Sequence, residues 1–96
     1  MVVVHAFIEV KEGAAKDFLA VAEKCVTETR KEPGCQFYNL YSDTENAREF
    51  VFVEEWESQA DLDEHTKLPH FLELVESVTD LLAVPLDIKV FEAKKL

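Results

Sequence analysis

The sequence predicts an α+β domain of the ferredoxin-like type, with the element order βαββαβ and an antiparallel sheet that carries its helices on one face. Two observations point to this class. Segments rich in β-branched and aromatic residues alternate with stretches whose apolar residues recur at helical spacing. The chain has 96 residues, of which 48% are hydrophobic, and this suits one domain over residues 1–96 with a compact core.

The first strand is predicted over residues 2–10, where β-branched residues dominate. The helix after it begins near Ala15 and repeats its apolar residues every three or four positions, at Phe18, Leu19, Ala22 and Val26. Pro33 cannot continue a helix and Gly34 permits a sharp turn, so this helix ends before the pair.

Residues 35–41 and 49–56 are predicted as the second and third strands. The polar residues 42–48 between them are typical of a hairpin loop, so the two strands should be antiparallel neighbours.

The second helical region is predicted in two pieces. Ser58 is an N-cap candidate for a short helix over residues 60–66. Pro69 fits the first turn of a longer helix, which ends before Pro85. Residues 86–93 then form the last strand.

The predicted strands are apolar on both sides, unlike strands with one face in water. The first strand carries Val4, Ala6 and Ile8 on one side but Val3 and Phe7 on the other, and the third strand repeats the pattern. One set of helices covers one face only. We therefore expect a homodimer in which a second copy covers the other face.

Charge and composition exclude several classes of partner. The net charge is −10, which repels nucleic acid. The apolar start lacks a basic region and is too short to cross a bilayer, so no membrane partner is expected. Cys25 and Cys35 show no zinc-binding spacing, and free thiols suit the reducing cytoplasm.

Three motifs in order make the chain similar to the antibiotic biosynthesis monooxygenase (ABM) family. They are EPGC before the second strand, E-x-W at the end of the third, and H-x-x-x-P-H-F across the helix break. The resemblance covers nearly the whole chain. It implies a dimeric α+β barrel with a small-molecule pocket between sheet and helices, often used for cofactor-free oxygenation of quinols or polyphenols.

Glu54 and His65 are the candidate catalytic residues. Glu54 shares the apolar face of the third strand, where a carboxylate must be paired or protonated, and it can be a general base or a structural carboxylate. His65 should face inward near the end of the short helix, as an acid, a base or a residue that interacts with the helix terminus. His70, in the first turn of the next helix, is expected at the surface.

The candidate substrate-binding residues are mostly aromatic. Trp56 offers a flat wall for an aromatic ligand, as the resemblance implies, or simply core packing. Phe52 and Phe71 would add further apolar walls. The sequence does not decide which sheet face His5 occupies, and Asn39 either orients a ligand or completes hydrogen bonds of its strand.

Neither a metal nor an organic cofactor is predicted. Glu64, His65 and His70 lie close in sequence, but they do not form a known metal motif, and Pro69 interrupts their helix. Two glycines in the whole chain exclude a G-x-G-x-x-G dinucleotide motif. Haem-degrading relatives place a His on the last helix where this chain has Val75, so haem degradation is disfavoured.

Three functions follow from these residues. The first is a cofactor-independent monooxygenase acting on a small quinol or polyphenol. The second is an isomerase or tautomerase of a small metabolite. For a phosphorylated metabolite, Arg48 and Lys67 are the available cations. The third is a dimeric ligand-binding protein without catalysis.

Overall fold

The structure, a computed structural model, describes residues 1–96 and contains four strands and three helices. In chain order they are β1 (Val2–Glu9), α1 (Ala15–Thr29), β2 (Cys35–Ser42), β3 (Glu49–Trp56), α2 (Gln59–His65), α3 (Pro69–Thr79) and β4 (Asp87–Glu92). The strands form one antiparallel sheet in the order β2-β3-β1-β4. The predicted ferredoxin-like α+β fold is confirmed, and every predicted element is present. The helix that was predicted to continue to Pro85 ends earlier, at Thr79, because Leu81 and Ala83 hydrogen-bond instead to the backbone at the end of β1.

The core lies between the helices and one face of the sheet. Alternate residues of β1 point towards the helices and are buried, and they are Val2, Val4, Ala6 and Ile8. From α1, the fully buried ring of Phe18 packs on Phe50 with ring centroids 4.9 Å apart. This packing orients the helix-facing side of β3, which also carries Phe52, Glu54 and Trp56.

The break in the second helical region is confirmed. Ser58 caps α2, because its side-chain oxygen accepts a hydrogen bond from the backbone N–H of Asp61 at 3.2 Å. Leu68 has the extended backbone that a following proline favours, and Pro69 begins α3. The short connection between α2 and α3 therefore places His65 and His70 on adjacent helix ends.

Gly34 marks a close approach between the loop before β2 and the start of α2. A Cβ atom at this position would lie 2.1 Å from Cγ of Asp61, so only glycine fits. The backbone N–H of Glu57 also donates to the carbonyl of Gly34 at 2.9 Å. These contacts hold the loop that contains Glu32 beside the helices that carry the two histidines.

The other face of the sheet has no helix over it, and both edge strands, β2 and β4, are free. Paired positions of the strands bring together on this face the side chains of Val3, His5, Phe7, Phe37, Asn39, Tyr41, Val51, Val53 and Phe91. We call this set the open face. Phe7, Tyr41 and Phe91 are each more than two-fifths exposed, so the apolar character predicted for this side of the strands is present.

The longest helix, α1, has 15 residues, and no helix of the chain combines the length and the hydrophobicity that crossing a membrane requires.

Candidate functional site

A cavity of about 280 Å³ lies between the helix-facing side of the sheet and the pair α2 and α3. Thirteen of its 18 lining residues are hydrophobic. The lining includes four of the predicted site residues, namely Phe52, Glu54, His65 and Phe71. Because titratable groups, Glu54 and His65 among them, line a largely apolar space, this cavity has the composition of a small-molecule site.

A wider depression of about 520 Å³ lies near the hairpin end of the sheet, between Phe7, Glu49 and Lys89. None of the predicted site residues contributes to it. The positions of the predicted site residues therefore favour the smaller cavity as the candidate site.

Glu54 is buried on β3, with 6% of its surface exposed. The indole N–H of Trp56 donates to its Oε1 at 3.0 Å. Burial raises the pKa of this carboxyl to about 7, the negative charge of Glu32 adds to the rise, and the hydrogen bond from Trp56 opposes it. Glu54 is thus hydrogen-bonded within its own strand and able to exchange a proton near neutral pH.

His65 ends α2 with only 1% of its surface exposed, so the prediction that it faces inward is confirmed. Its Nδ1 lies 2.7 Å from Oε2 of Glu32. Burial lowers the pKa of the imidazole below its ordinary 6.5, and the Glu32 carboxylate opposes this. His65 is therefore neutral at pH 7 and donates its Nδ1 proton to Glu32, which leaves an unprotonated Nε2.

The free nitrogen of His65 is reached from the cavity. Nε2 forms no hydrogen bond within the protein. The His65 ring lines the cavity, so its unbonded Nε2 is available to a ligand there. A lone pair held in an apolar cavity is suited to accept a proton from a ligand.

Glu32 was not among the predicted site residues, and His70 was placed wrongly. Oε2 of Glu32 also lies 2.8 Å from Nε2 of His70. The side chain of His70 is 14% exposed, so the prediction of a surface residue is wrong, because this hydrogen bond draws the ring inward. The sequence offered Glu32 only as part of a helix-ending turn, since 33 residues separate it from His65.

Trp56 packs behind the cavity. Its side chain is fully buried and is not part of the cavity lining. The indole ring lies against His65 with centroids 4.7 Å apart, while Phe71 meets the same imidazole edge-on at 5.0 Å. In the single chain, Trp56 thus holds the side chains of Glu54 and His65 in place. Contact between Trp56 and a ligand stays a prediction.

His5 and Asn39 lie outside this cavity. Both belong to the open face, where they flank Val53 in the sheet register. The His5 ring packs edge-on against Phe91 at 5.6 Å. The side-chain oxygen of Asn39 accepts a hydrogen bond from Arg30 at 2.8 Å. Their predicted role in substrate binding would require a site different from the cavity of Glu54 and His65.

The raised pKa of Glu54 predicts a pH-dependent stability. Between about pH 4.5 and about pH 7, folded Glu54 retains a proton that the unfolded chain releases, so stability falls as pH rises. Glu54→Gln removes this dependence while Gln can still accept the hydrogen bond from Trp56. We expect the melting temperature of the wild type, relative to that of the variant, to decrease across this interval. Calorimetry at several pH values measures the difference, and a constant difference would contradict the expectation.

Comparison with known proteins gives a consistent result. The family model described as "Antibiotic biosynthesis monooxygenase" matches residues 1–77. "Putative monooxygenase YcnE" of Bacillus subtilis is 33% identical over 88 residues, covering 92% of this chain and 93% of that protein. "Uncharacterized protein sll1783" of Synechocystis is 38% identical over 91 residues and covers 95% of this chain. The alignment spans only 62% of the Synechocystis protein.

Solved structures agree with the fold. The structure of Rv0793 from Mycobacterium tuberculosis superposes with a TM-score of 0.93 at 32% identity, covering 99% of this chain and 96% of that one. The structure of the "Putative antibiotic biosynthesis monooxygenase from Nitrosomonas europaea" superposes with a TM-score of 0.94 at 20% identity, covering 97% of this chain and 98% of that one. At 20% identity, the similarity to the Nitrosomonas structure shows a shared fold and nothing more.

Proposed function

The chain belongs to the antibiotic biosynthesis monooxygenase family, and from this premise we propose that it is a cofactor-independent monooxygenase that oxidises a small quinol or polyphenol with O₂. The observation that carries the proposal is the presence of Glu54 and His65 in one apolar cavity. Two relatives, "Putative monooxygenase YcnE" and "Putative monooxygenase Rv0793", support the reaction class by their names.

The size and lining of the cavity favour a small neutral aromatic substrate. Since a cavity of about 150 Å³ can hold benzene, about 280 Å³ accommodates one substituted ring or a compact two-ring system. Phe52 and Phe71 supply aromatic surfaces for stacking. No Lys or Arg lines the cavity, which argues against a phosphorylated substrate. Lys67 pairs instead with Glu64 at the surface.

Proton removal would start the reaction. The unprotonated Nε2 of His65 accepts the phenolic proton, and Glu32 stabilises the resulting imidazolium through Nδ1. Protonated Glu54 can donate a hydrogen bond to a second substrate oxygen. The surrounding apolar side chains exclude water and raise the energy of the phenolate, which makes it a better electron donor.

The oxidation balances without an external reductant. The phenolate transfers one electron to O₂, and the radical pair combines to form a carbon–peroxide bond at a ring carbon that carries hydrogen. Loss of that hydrogen and cleavage of the O–O bond release water and leave a carbonyl. One oxygen atom of O₂ enters the quinone and the other enters water, while the substrate supplies all four electrons.

Oxygen consumption tests the proposal. Protein freed of metals by a chelator is mixed with a panel of hydroquinones and polyphenols, while an electrode follows O₂ and chromatography follows quinone. We expect consumption above the autoxidation rate for at least one substrate, with one O₂ used per quinone formed. Autoxidation rates across the whole panel would refute it.

The opposed pKa shifts of Glu54 and His65 also support an isomerase or tautomerase as a second candidate. A protonated carboxyl and a neutral imidazole can move a proton between two substrate atoms without oxygen. Turnover that persists under strict anaerobiosis would favour this reaction. Saturable binding of aromatic ligands without any turnover would favour a ligand-binding protein.

We also propose that the working form is a homodimer joined through the open face. The apolar residues there come from all four strands, and Val53 lies near the centre of the set. Soluble monomers rarely leave large apolar patches in water, and Phe7, Tyr41 and Phe91 of this face are each more than two-fifths exposed. Packing two such sheets against each other would give the predicted dimeric α+β barrel.

A cytoplasmic location fits the same proposal. Cys25 and Cys35 are free thiols, which persist in a reducing compartment. Burial raises the pKa of both thiols, so neither is activated as a nucleophile.

A further inference from the structure

We propose that Glu32, His65 and His70 form a binding site for a divalent transition-metal ion, with Zn²⁺ the best-matched ion. The site lies beside the cavity and shares His65 with it. This inference goes beyond the oxygenase proposal, because binding of the ion does not depend on any reaction.

The three side chains converge from three separate segments. Glu32 comes from the loop between α1 and β2, His65 from the end of α2, and His70 from the first turn of α3. One ligand atom from each residue lies within 4.8 Å of the other two. The Glu32 and His65 side chains are at least nine-tenths buried, so the arrangement is part of the folded structure and not a chance surface grouping.

The donor set matches zinc chemistry. Two imidazole nitrogens and one carboxylate oxygen are the ligands of many catalytic zinc sites, which keep a fourth position open. Magnesium and calcium prefer oxygen ligands alone, so they fit this set poorly. Cobalt and nickel also accept imidazole, which makes them useful probes.

Binding of the ion requires only a modest movement of the Glu32, His65 and His70 side chains. Both histidine nitrogens now lie 2.7 and 2.8 Å from the same oxygen of Glu32, as hydrogen-bond partners. Bonds of about 2.0–2.2 Å in tetrahedral geometry require the ligand atoms to lie roughly 3.3–3.5 Å apart. The imidazoles must therefore move apart from the carboxylate and towards each other, and His70, the least buried of the three, can make most of this movement.

Binding moves the proton of each imidazole to its other nitrogen. A neutral imidazole that binds metal at one nitrogen carries its proton on the other. For His65 this is Nε2, which the cavity reaches. His70 is partly exposed, so its second nitrogen can donate to water. The ion thus replaces two N–H···O hydrogen bonds and moves the proton of His65 to the cavity side of its ring.

This site would make the ion an inhibitor of the proposed oxygenase. With Nδ1 bound to metal, His65 holds a proton on Nε2 and can no longer accept one from a phenol. The same coordination takes the Glu32 carboxylate away from its role as partner of the imidazolium.

Trp56 provides a reporter that is independent of activity. It is the only tryptophan of the chain, and its ring lies 4.7 Å from the His65 ring. Co²⁺ or Ni²⁺ bound at the site should quench its fluorescence. Zn²⁺ does not quench by this route, but it should displace either ion and restore the signal.

The experiment measures binding of Zn²⁺ and Co²⁺ to the full chain after treatment with a chelator, by calorimetry and by Trp56 fluorescence. Two matched pairs of variants separate the site from other groups. His70→Gln is compared with His5→Gln, which changes the histidine on the open face. Glu32→Gln is compared with Glu64→Gln, which changes the exposed carboxylate next to His65. Melting temperatures establish that each variant is folded.

We expect one ion per wild-type chain. Loss of an outer-shell partner of a metal ligand already weakens binding about 10- to 100-fold, so His70→Gln and Glu32→Gln should weaken it by about 100-fold or more. His5→Gln and Glu64→Gln should bind like the wild type. Absence of wild-type binding, or binding that folded His70→Gln retains in full, would overturn the proposal.

Discussion

Replacing His65 by Gln is expected to lower kcat for quinol oxidation by about 100- to 10,000-fold, the usual contribution of a positioned general base. Gln can still donate a hydrogen bond to Glu32 in place of Nδ1, but it has no lone pair of imidazole basicity to present to the cavity. Because binding of an aromatic ring depends mainly on the apolar walls, KM should change much less than kcat.

The pH dependence of the rate identifies the base. In the wild type, kcat/KM should rise as His65 loses its proton, with a midpoint below the ordinary 6.5 because burial lowers this pKa. In His65→Gln that rise should disappear. Rates of the two proteins measured between pH 5 and pH 8 with the same quinol give the comparison.

Two further variants make the result specific. Glu64→Gln alters the neighbouring exposed side chain and should leave the rate unchanged. Glu54→Gln should lower the rate less than His65→Gln if Glu54 only donates a hydrogen bond. A full rate in folded His65→Gln, together with a large loss in Glu54→Gln, would assign the base to Glu54 instead.

Local signals in the sequence were sufficient to predict the fold. The β3 pattern from Glu49 to Trp56 and the Pro69 break depend on residues that are close in the chain, so periodicity and proline chemistry identify them. The two-sided apolar character of β1 likewise predicted an open face, which the structure contains.

The candidate site was predicted only in part, because its decisive contacts are long-range. The alternation of β3 placed Glu54 on the side of Phe52, and helical spacing turned His65 inward. No local pattern joins Glu32 to two histidines more than 30 residues away, and the sheet register alone decides that His5 faces away from the cavity. Resemblance to the ABM family implied a pocket, but it did not identify Glu32, the residue that orients His65.

His65 takes part in both proposals, as the base of the oxygenase and as a ligand of the metal ion. An imidazole that is held at Nδ1 by a carboxylate is a base at Nε2, whereas an imidazole held at Nδ1 by a metal ion is a donor there. Inhibition by Zn²⁺ that disappears in His70→Gln, while that variant retains oxidation, would separate the ion site from the base. Loss of oxidation in His65→Gln would support His65 as the base, and Zn²⁺ binding by the wild type would support the ion site. Each proposal can therefore fail without the other.

The second large effect is expected at the open face, where Val53→Asp should convert a dimer into a monomer. Val53 pairs with both His5 and Asn39 and so lies at the centre of the open face. An isologous interface contains two copies of the change, and each unpaired buried charge costs about 2 kcal/mol or more. The dissociation constant should therefore rise by about 1,000-fold.

Light scattering at micromolar concentration should give the wild type twice the 11.0 kDa of one chain and give Val53→Asp the mass of one chain. In the proposed dimer folding and association would be coupled, so the melting temperature of the wild type should rise with protein concentration. Leu19→Asp, which places the same charge on an exposed apolar position of α1, is the control and should remain dimeric. A wild-type mass near that of one chain, with a melting temperature independent of concentration, would mean that the open face stays in water, and the barrel would have to be abandoned.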